Sequence, residues 1–162
     1  MKYWVLADTH FGHDKMTEYC GRPDNFESII LQNINDTVSD DDVLIHLGDF
    51  CIYKDEVWHR EFMKVCSCKK WLIRGNHDRK SMGWYFSHGW DFVGDMAWMT
   101  IFGADIMFSH KPVDWPLPFI NVHGHEHNTR HHEIDTDDRH KLVYLEHDYK
   151  PIDLRKIVEP SK

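Results

Sequence analysis

The sequence predicts an α/β sandwich in which helices lie outside two packed sheets. Two observations carry this expectation. The first half alternates apolar strand runs with helical periodicity in a βαβαβ order, whereas the second half reads mostly as strands. Hydrophobic residues make up 41% of the chain and aromatic residues 14%, enough for a packed core and too much for a disordered chain. With 162 residues, no internal repeat and no Pro/Gly/Ser linker, a single domain over residues 1–162 is expected.

The elements follow in order. Residues 3–7 form a short apolar strand that runs into Asp8; five apolar residues are too few for a secretory core, and no run approaches the length of a membrane helix. Phe26, Ile29, Ile30, Ile34 and Val38 recur at helical spacing behind an N-cap at Asp24 or Asn25. Asp40, Asp41 and Asp42 read as a solvated turn, and 43–47 as a continuous apolar run of the kind a buried parallel strand needs. Val57, Trp58, Phe62 and Val65 mark a second helix, and 71–73 a third strand. Met96–Ile101 and 105–109 flank Gly103 as a hairpin, with further strands at 119–122 and 141–145. Trp84, Trp90, Trp98 and Met99 read as core.

Nineteen basic residues against 27 acidic ones leave a formal charge of −8, so general attraction to nucleic acid or to an anionic membrane surface is not expected. Any phosphate chemistry needs a local source of positive charge. The chain also has 14 His, an unusual share of the residue that most often ligates metals. Cys20, Cys51, Cys66 and Cys68 contain no C-x-x-C pair and are expected to be reduced, which together with the lack of a leader points to a cytoplasmic protein.

The informative residues stand just past the predicted strands. They are Asp8-Thr-His10, Gly48-Asp49, Gly75-Asn-His-Asp78, Ser109-His110 and His123-Gly-His-Glu-His127. Ligand sites of α/β sheets collect at the carboxyl ends of strands, so these loops can converge. Asp8, His10, Asp49, Asn76, His110, His125 and His127 offer seven N and O donors. That is too many for one tetrahedral zinc and suits two adjacent ions sharing a carboxylate. Mixed imidazole and carboxylate donors favour manganese, with iron, zinc, nickel or cobalt as alternatives, over calcium. Asp78 reads as a loop-holding residue, and His131, His132 and His140 as parts of a polar hairpin loop.

The ordered series D-x-H, G-D, G-N-H-D, H and G-H-x-H resembles the calcineurin-like metallophosphoesterase superfamily, over residues 8–127. Asp8-Thr-His-Phe-Gly-His13, Arg22-Pro23, His46-Leu-Gly-Asp-Phe50 and Tyr149-Lys-Pro-Ile152 are similar to its small uncapped bacterial and phage members. The resemblance implies a four-layer α/β/β/α sandwich of two mixed sheets with flanking helices. It implies that Asp8, His10 and His127 bind one metal, that Asn76, His110 and His125 bind the other, and that Asp49 bridges them. His77 would then be the proton donor to the leaving oxygen. Asn76, His13, Arg22 and Lys111 are candidates to face substrate, with a salt bridge the equal alternative for Arg22 and a surface position for His13. After Asp49 the chain reads Phe50-Cys-Ile-Tyr53 and lacks the second Asp and the Arg of phosphoprotein phosphatases.

The implied function is hydrolysis of small, nucleotide-like phosphodiesters, with phosphomonoesters as the near alternative. Two further readings are a nuclease working with a partner and a metal-binding scaffold without turnover. The retention of all seven donors and His77 weighs against the scaffold.

Overall fold

The computed structural model describes residues 1–113, 119–127 and 139–159. Strands β1 (Tyr3–Leu6), β2 (Val43–His46), β3 (Lys69–Ile73), β4 (Phe92–Gly94) and β9 (Ile152–Asp153) form one sheet in the order β4-β3-β2-β1-β9. Strands β5 (Met96–Ile101), β6 (Ala104–Ser109), β7 (Ile120–His123) and β8 (His140–Leu142) form the other, in chain order. Both sheets are mixed: β9 is antiparallel to β1, and β5 to β6, while the remaining pairs are parallel.

Side-chain alternation along the strands builds two cores. Val5, Ala7, Val43, Ile45 and Leu47 face Ile106, Phe108, Val122 and Val143 of the second sheet. Leu6, Leu44 and Leu72 point the other way, toward Phe26, Ile30 and Ile34 of α2 (Phe26–Thr37) and Phe62 of α3 (Asp55–Val65). Each such burial contributes about 1.5–3 kcal/mol. The single turn α1 (Met16–Cys20) and α4 (Met82–Ser87) join this helical side through Met16 and Tyr85. A last helix, α5 (Leu154–Val158), capped by the Asp153 carboxylate, adds Leu154 and Val158 to the core between the sheets. Two mixed sheets with flanking helices are thus the architecture expected. No helix among the described residues is long and apolar enough to cross a membrane.

The β5–β6 hairpin turns at Phe102 and Gly103, both with positive φ (55° and 76°), as a two-residue turn matching strand twist requires. Three expectations need correction. Asp42 is buried, not solvated: its carboxylate accepts from the Lys2 N–H (2.7 Å), Trp4 Nε1 (2.8 Å) and the Ser39 N–H (3.1 Å), pinning the chain start to the β2 entry. Trp98 is not core; it stands 57% exposed on the outer face of β5. His140 lies in β8, buried, with Nε2 3.2 Å from the Val113 carbonyl, whereas His131 and His132 fall outside the described residues.

The register matters most for function. Leu6 pairs with His46 and His46 with Leu72, so β1, β2 and β3 end level. Ser109 pairs with His123 in the second sheet, so β6 and β7 do the same. All five loops singled out in the sequence leave these carboxyl ends.

Candidate metal centre

The loops are held to one another by backbone bonds that continue past the strands. The Asp8 N–H donates to Gly48 O (2.9 Å), the His10 N–H to Asp49 O (3.0 Å) and the Phe11 N–H to Phe50 O (3.0 Å). Asp8, His10, Asp49, His125 and His127 all take positive φ, between 47° and 74°. Non-glycine residues pay about 1–2 kcal/mol there, and Asp and His tolerate it better than most. Such backbone strain concentrates at functional sites. Gly75 is required sterically: a Cβ there would meet the backbone N (2.5 Å) and carboxylate of Asp49.

These turns aim the donor atoms inward. His10 Nε2 lies 3.2 Å from His127 Nε2, with Asp8 Oδ1 3.9 Å from His10 Nε2. His110 Nε2 lies 3.0 Å from His125 Nδ1, 3.1 Å from Asn76 Oδ1 and 3.4 Å from Asp49 Oδ2. Asp49 Oδ2 is also 3.8 Å from His10 Nε2, so this carboxylate touches both groups. An ion with ligands near 2.1 Å sets ligand–ligand edges of about 3.0–3.4 Å, the spacing of the four shorter contacts. Asp8, His10 and His127 form one potential cation group, and Asp49, His110 and His125 another. Asp8 Oδ1 is buried with no hydrogen-bond partner among the described residues. A buried carboxylate oxygen without a donor, surrounded by imidazoles, fits a cation.

Burial and close packing perturb every titratable donor of the cluster, in both directions. Burial pushes the Asp8 carboxyl up to about 7, against the pull of His127 and His110. Burial also acts on Asp49, but the His110 imidazole, the His77 N–H and His10 outweigh it and hold it below the usual carboxylate range. Burial lowers His10 to about 2 and lowers His125, keeping both neutral and able to ligate. His110 and His127 go the other way. Burial opposes their charged forms, yet Asp49 and Asp8 raise His110, and Cys20, Glu146 and Asp8 raise His127 to about 10.

His77 sits beside this cluster. Its side chain is about one-third exposed (35%), its Nε2 is 3.9 Å from Asp49 Oδ2, and its backbone N–H donates to Asp49 Oδ1 (2.8 Å). Asp78 holds the loops, as its sequence position suggests: it accepts from the N–H groups of Gly75 and Asp49 (2.8 Å each) and Phe50 (3.1 Å). His13 lies near His10, ring centroids 6.0 Å apart, and lines a cavity of about 510 Å³ with Met16, Tyr19, Ile52 and His77. Lys111 lines a second cavity of about 320 Å³ with Arg74, Asn76 and His110.

Arg22 lines neither cavity. It is 1% exposed, and its guanidinium donates to the carbonyls of Asp8 and Thr9 (2.8 Å each) and to Glu146 Oε1 (2.6 and 3.0 Å). The carbonyls turned back by the strained first loop occupy it from within. Glu146 itself was not singled out in the sequence. Its signal is positional, since it follows the apolar run 141–145 as the other site residues follow theirs.

The sequence pattern of the calcineurin-like phosphoesterase family matches residues 1–158. The chain belongs to that family. This phosphoesterase is 28% identical over 170 residues to an uncharacterized protein of Methanocaldococcus jannaschii, covering 98% of this chain and 90% of the relative. Its structure is similar to that of a protein of unknown function from Aquifex aeolicus, with TM-score 0.80 and 26% identity over 96% of this chain and 97% of the other. A novel archaeal phosphodiesterase shares the fold at TM-score 0.53 and 17% identity, over 89% of this chain and 82% of that one. The family is one of metal-dependent phosphoester hydrolases, and the His and Asp clusters of this member can hold the metal.

Proposed function

We propose that this phosphoesterase hydrolyses small phosphodiesters at a two-ion centre. Asp8, His10 and His127 would hold one ion, Asn76, His110 and His125 the other, and Asp49 would lie between them. Manganese is the first candidate, with iron, zinc, nickel or cobalt behind it. Two divalent ions carry +4, and Asp8 and Asp49 offset two of these charges. That supplies the positive field which the −8 chain otherwise lacks. When bound, the ions supply Lewis-acid stabilisation of phosphoryl charge and a water acidified to near-neutral pKa.

The protein's own groups do the rest. Asn76 and His110 fix the second-ion side of the cleft. His77 donates a proton to the departing alkoxide from a ring that its backbone bond to Asp49 places beside the centre.

The observation that carries the diester reading is the pair of cavities. One meets His10, His127 and His77, the other Asn76 and His110. A phosphorus atom between them has room for a substituent on each side, which a diester needs and a monoester does not. The larger cavity has Tyr19, Met16 and Ile52 in its wall, and suits an aromatic or apolar substituent beside His13.

Chelator-stripped protein should regain hydrolysis of bis-p-nitrophenyl phosphate on addition of Mn²⁺, and should favour it over p-nitrophenyl phosphate. Preference for the monoester would overturn the diester assignment. Inactivity on both with every candidate metal would leave a metal-binding scaffold.

A further inference from the structure

We infer that Glu146, clamped by Arg22, is a positioning residue that fixes which nitrogen of His127 faces the first metal group; this rests on the two-ion reading above. His127 presents its two ring nitrogens to different neighbours. Nε2 faces His10 Nε2 at 3.2 Å, and Nδ1 lies 3.2 Å from Glu146 Oε1. A carboxylate only accepts hydrogen bonds, so Nδ1 bears a proton in either charge state of the ring, and Nε2 is the nitrogen whose lone pair an ion would take. A carboxylate behind a ligating imidazole also makes that imidazole a better donor.

The clamp has a second end. The Arg22 guanidinium gives Nε and Nη2 to Glu146 Oε1 (3.0 and 2.6 Å), while Nη2 and Nη1 reach the carbonyls of Asp8 and Thr9 (2.8 Å each). Both side chains are essentially buried, 0% exposed for Arg22 and 3% for Glu146. One planar group thus registers the loop bearing Asp8 and His10 against the loop bearing His127. These are the three donors of one metal group, contributed by two different sheets.

Two comparisons sharpen the inference. Cys20, His127 and Glu146 together have the spacing of a further cation group. The Arg22 charge 2.6 Å from Glu146 opposes a cation there, which leaves Glu146 free to orient His127 instead. In the second metal group the corresponding imidazole contact is to a neutral acceptor, His110 Nδ1 to Leu47 O at 2.8 Å. The two groups therefore differ in what stands behind their histidines, and only one should respond to Glu146.

The test is Mn²⁺ titration calorimetry on chelator-stripped wild type, Glu146→Gln and Arg22→Lys, with thermal midpoints to verify folding. Wild type should bind two ions. Glu146→Gln should weaken one site about 10–100-fold and leave the other unchanged. Two wild-type affinities in that variant would overturn the inference. So would equal weakening of both sites, which indicates general loosening rather than positioning.

A measurement on wild type alone covers the case in which the variants fail to fold. In zinc-loaded protein, long-range ¹⁵N–¹H correlation should show His127 protonated at Nδ1 and bare at Nε2. The opposite tautomer refutes the positioning role even when two ions bind. A wild type that binds no ion overturns the two-ion reading, and this inference with it.

Discussion

His77→Ala separates the proton donor from the metal centre. The ring has few ties: it is about one-third exposed (35%) and 3.9 Å from Asp49 Oδ2. The bond that orders Asp49 runs from the His77 backbone N–H (2.8 Å), and Ala retains it. Stability should change by no more than about 0.5 kcal/mol, as for other truncations outside a core. Metal affinity should stay within about twofold, a difference of about 0.4 kcal/mol. Turnover of a diester with an alkyl leaving group should nevertheless fall about 10²–10⁴-fold, the usual worth of a positioned acid. At 1.36 kcal/mol per decade this is about 2.7–5.4 kcal/mol of barrier. Bis-p-nitrophenyl phosphate should lose much less, because its phenolate leaves without needing a proton. Steady-state kinetics on both substrates, paired with calorimetry, read the effect. Equal losses on the two substrates would refute the assignment of His77 as acid, and loss of a bound ion would make it a ligand.

Asp49→Asn should weaken ion binding at both groups, since its Oδ2 lies 3.4 Å from His110 Nε2 and 3.8 Å from His10 Nε2; calorimetry that finds one affinity untouched contradicts the shared carboxylate. Gly75→Ala places a Cβ 2.5 Å from the Asp49 backbone N, and urea denaturation should show a loss of about 1–3 kcal/mol, with impaired metal binding. Burial holds His59 neutral, lowered from 6.5 to about 3, so the unfolded chain binds a proton there that the fold refuses. Its share of stability is therefore complete above pH 6.5 and is lost as pH falls toward 3, by about 1.4 kcal/mol per pH unit. His59→Gln, which keeps an acceptor for Trp90 Nε1 (2.9 Å), should flatten the acid limb of the stability curve by that amount; parallel limbs would contradict it.

What was legible in the sequence follows from how far each interaction reaches. Asp8, His10, Asp49, Asn76, His110, His125 and His127 were readable as neighbours because they follow five strand ends, and parallel registers bring those ends level. Asp78 was readable as a loop residue because its Gly75 partner is three positions away. Arg22 was readable only as an even choice between substrate contact and salt bridge, because the carboxylate that decides it lies 124 positions along the chain. Asp42 was misjudged for the same reason, its partners Lys2 and Trp4 lying about 40 positions upstream. The two-residue β9 and the five-residue α1 and α5 have too little periodicity to show; pairing with β1 creates the first, and packing of Met16, Leu154 and Val158 the others.

Each donor group draws on both sheets. Asp8 and His10 follow β1 and are matched by His127 beyond β7, while Asp49 and Asn76 follow β2 and β3 and are matched by His110 and His125 beyond β6 and β7. Bound ions would therefore be cross-links between two halves that otherwise adhere mainly through apolar side chains. Chelation should then do more than silence the enzyme. It should uncouple the halves, so that amide exchange in β6 and β7 speeds up before exchange in β1 and β2, and the catalytic ions would double as the rivets of the sandwich.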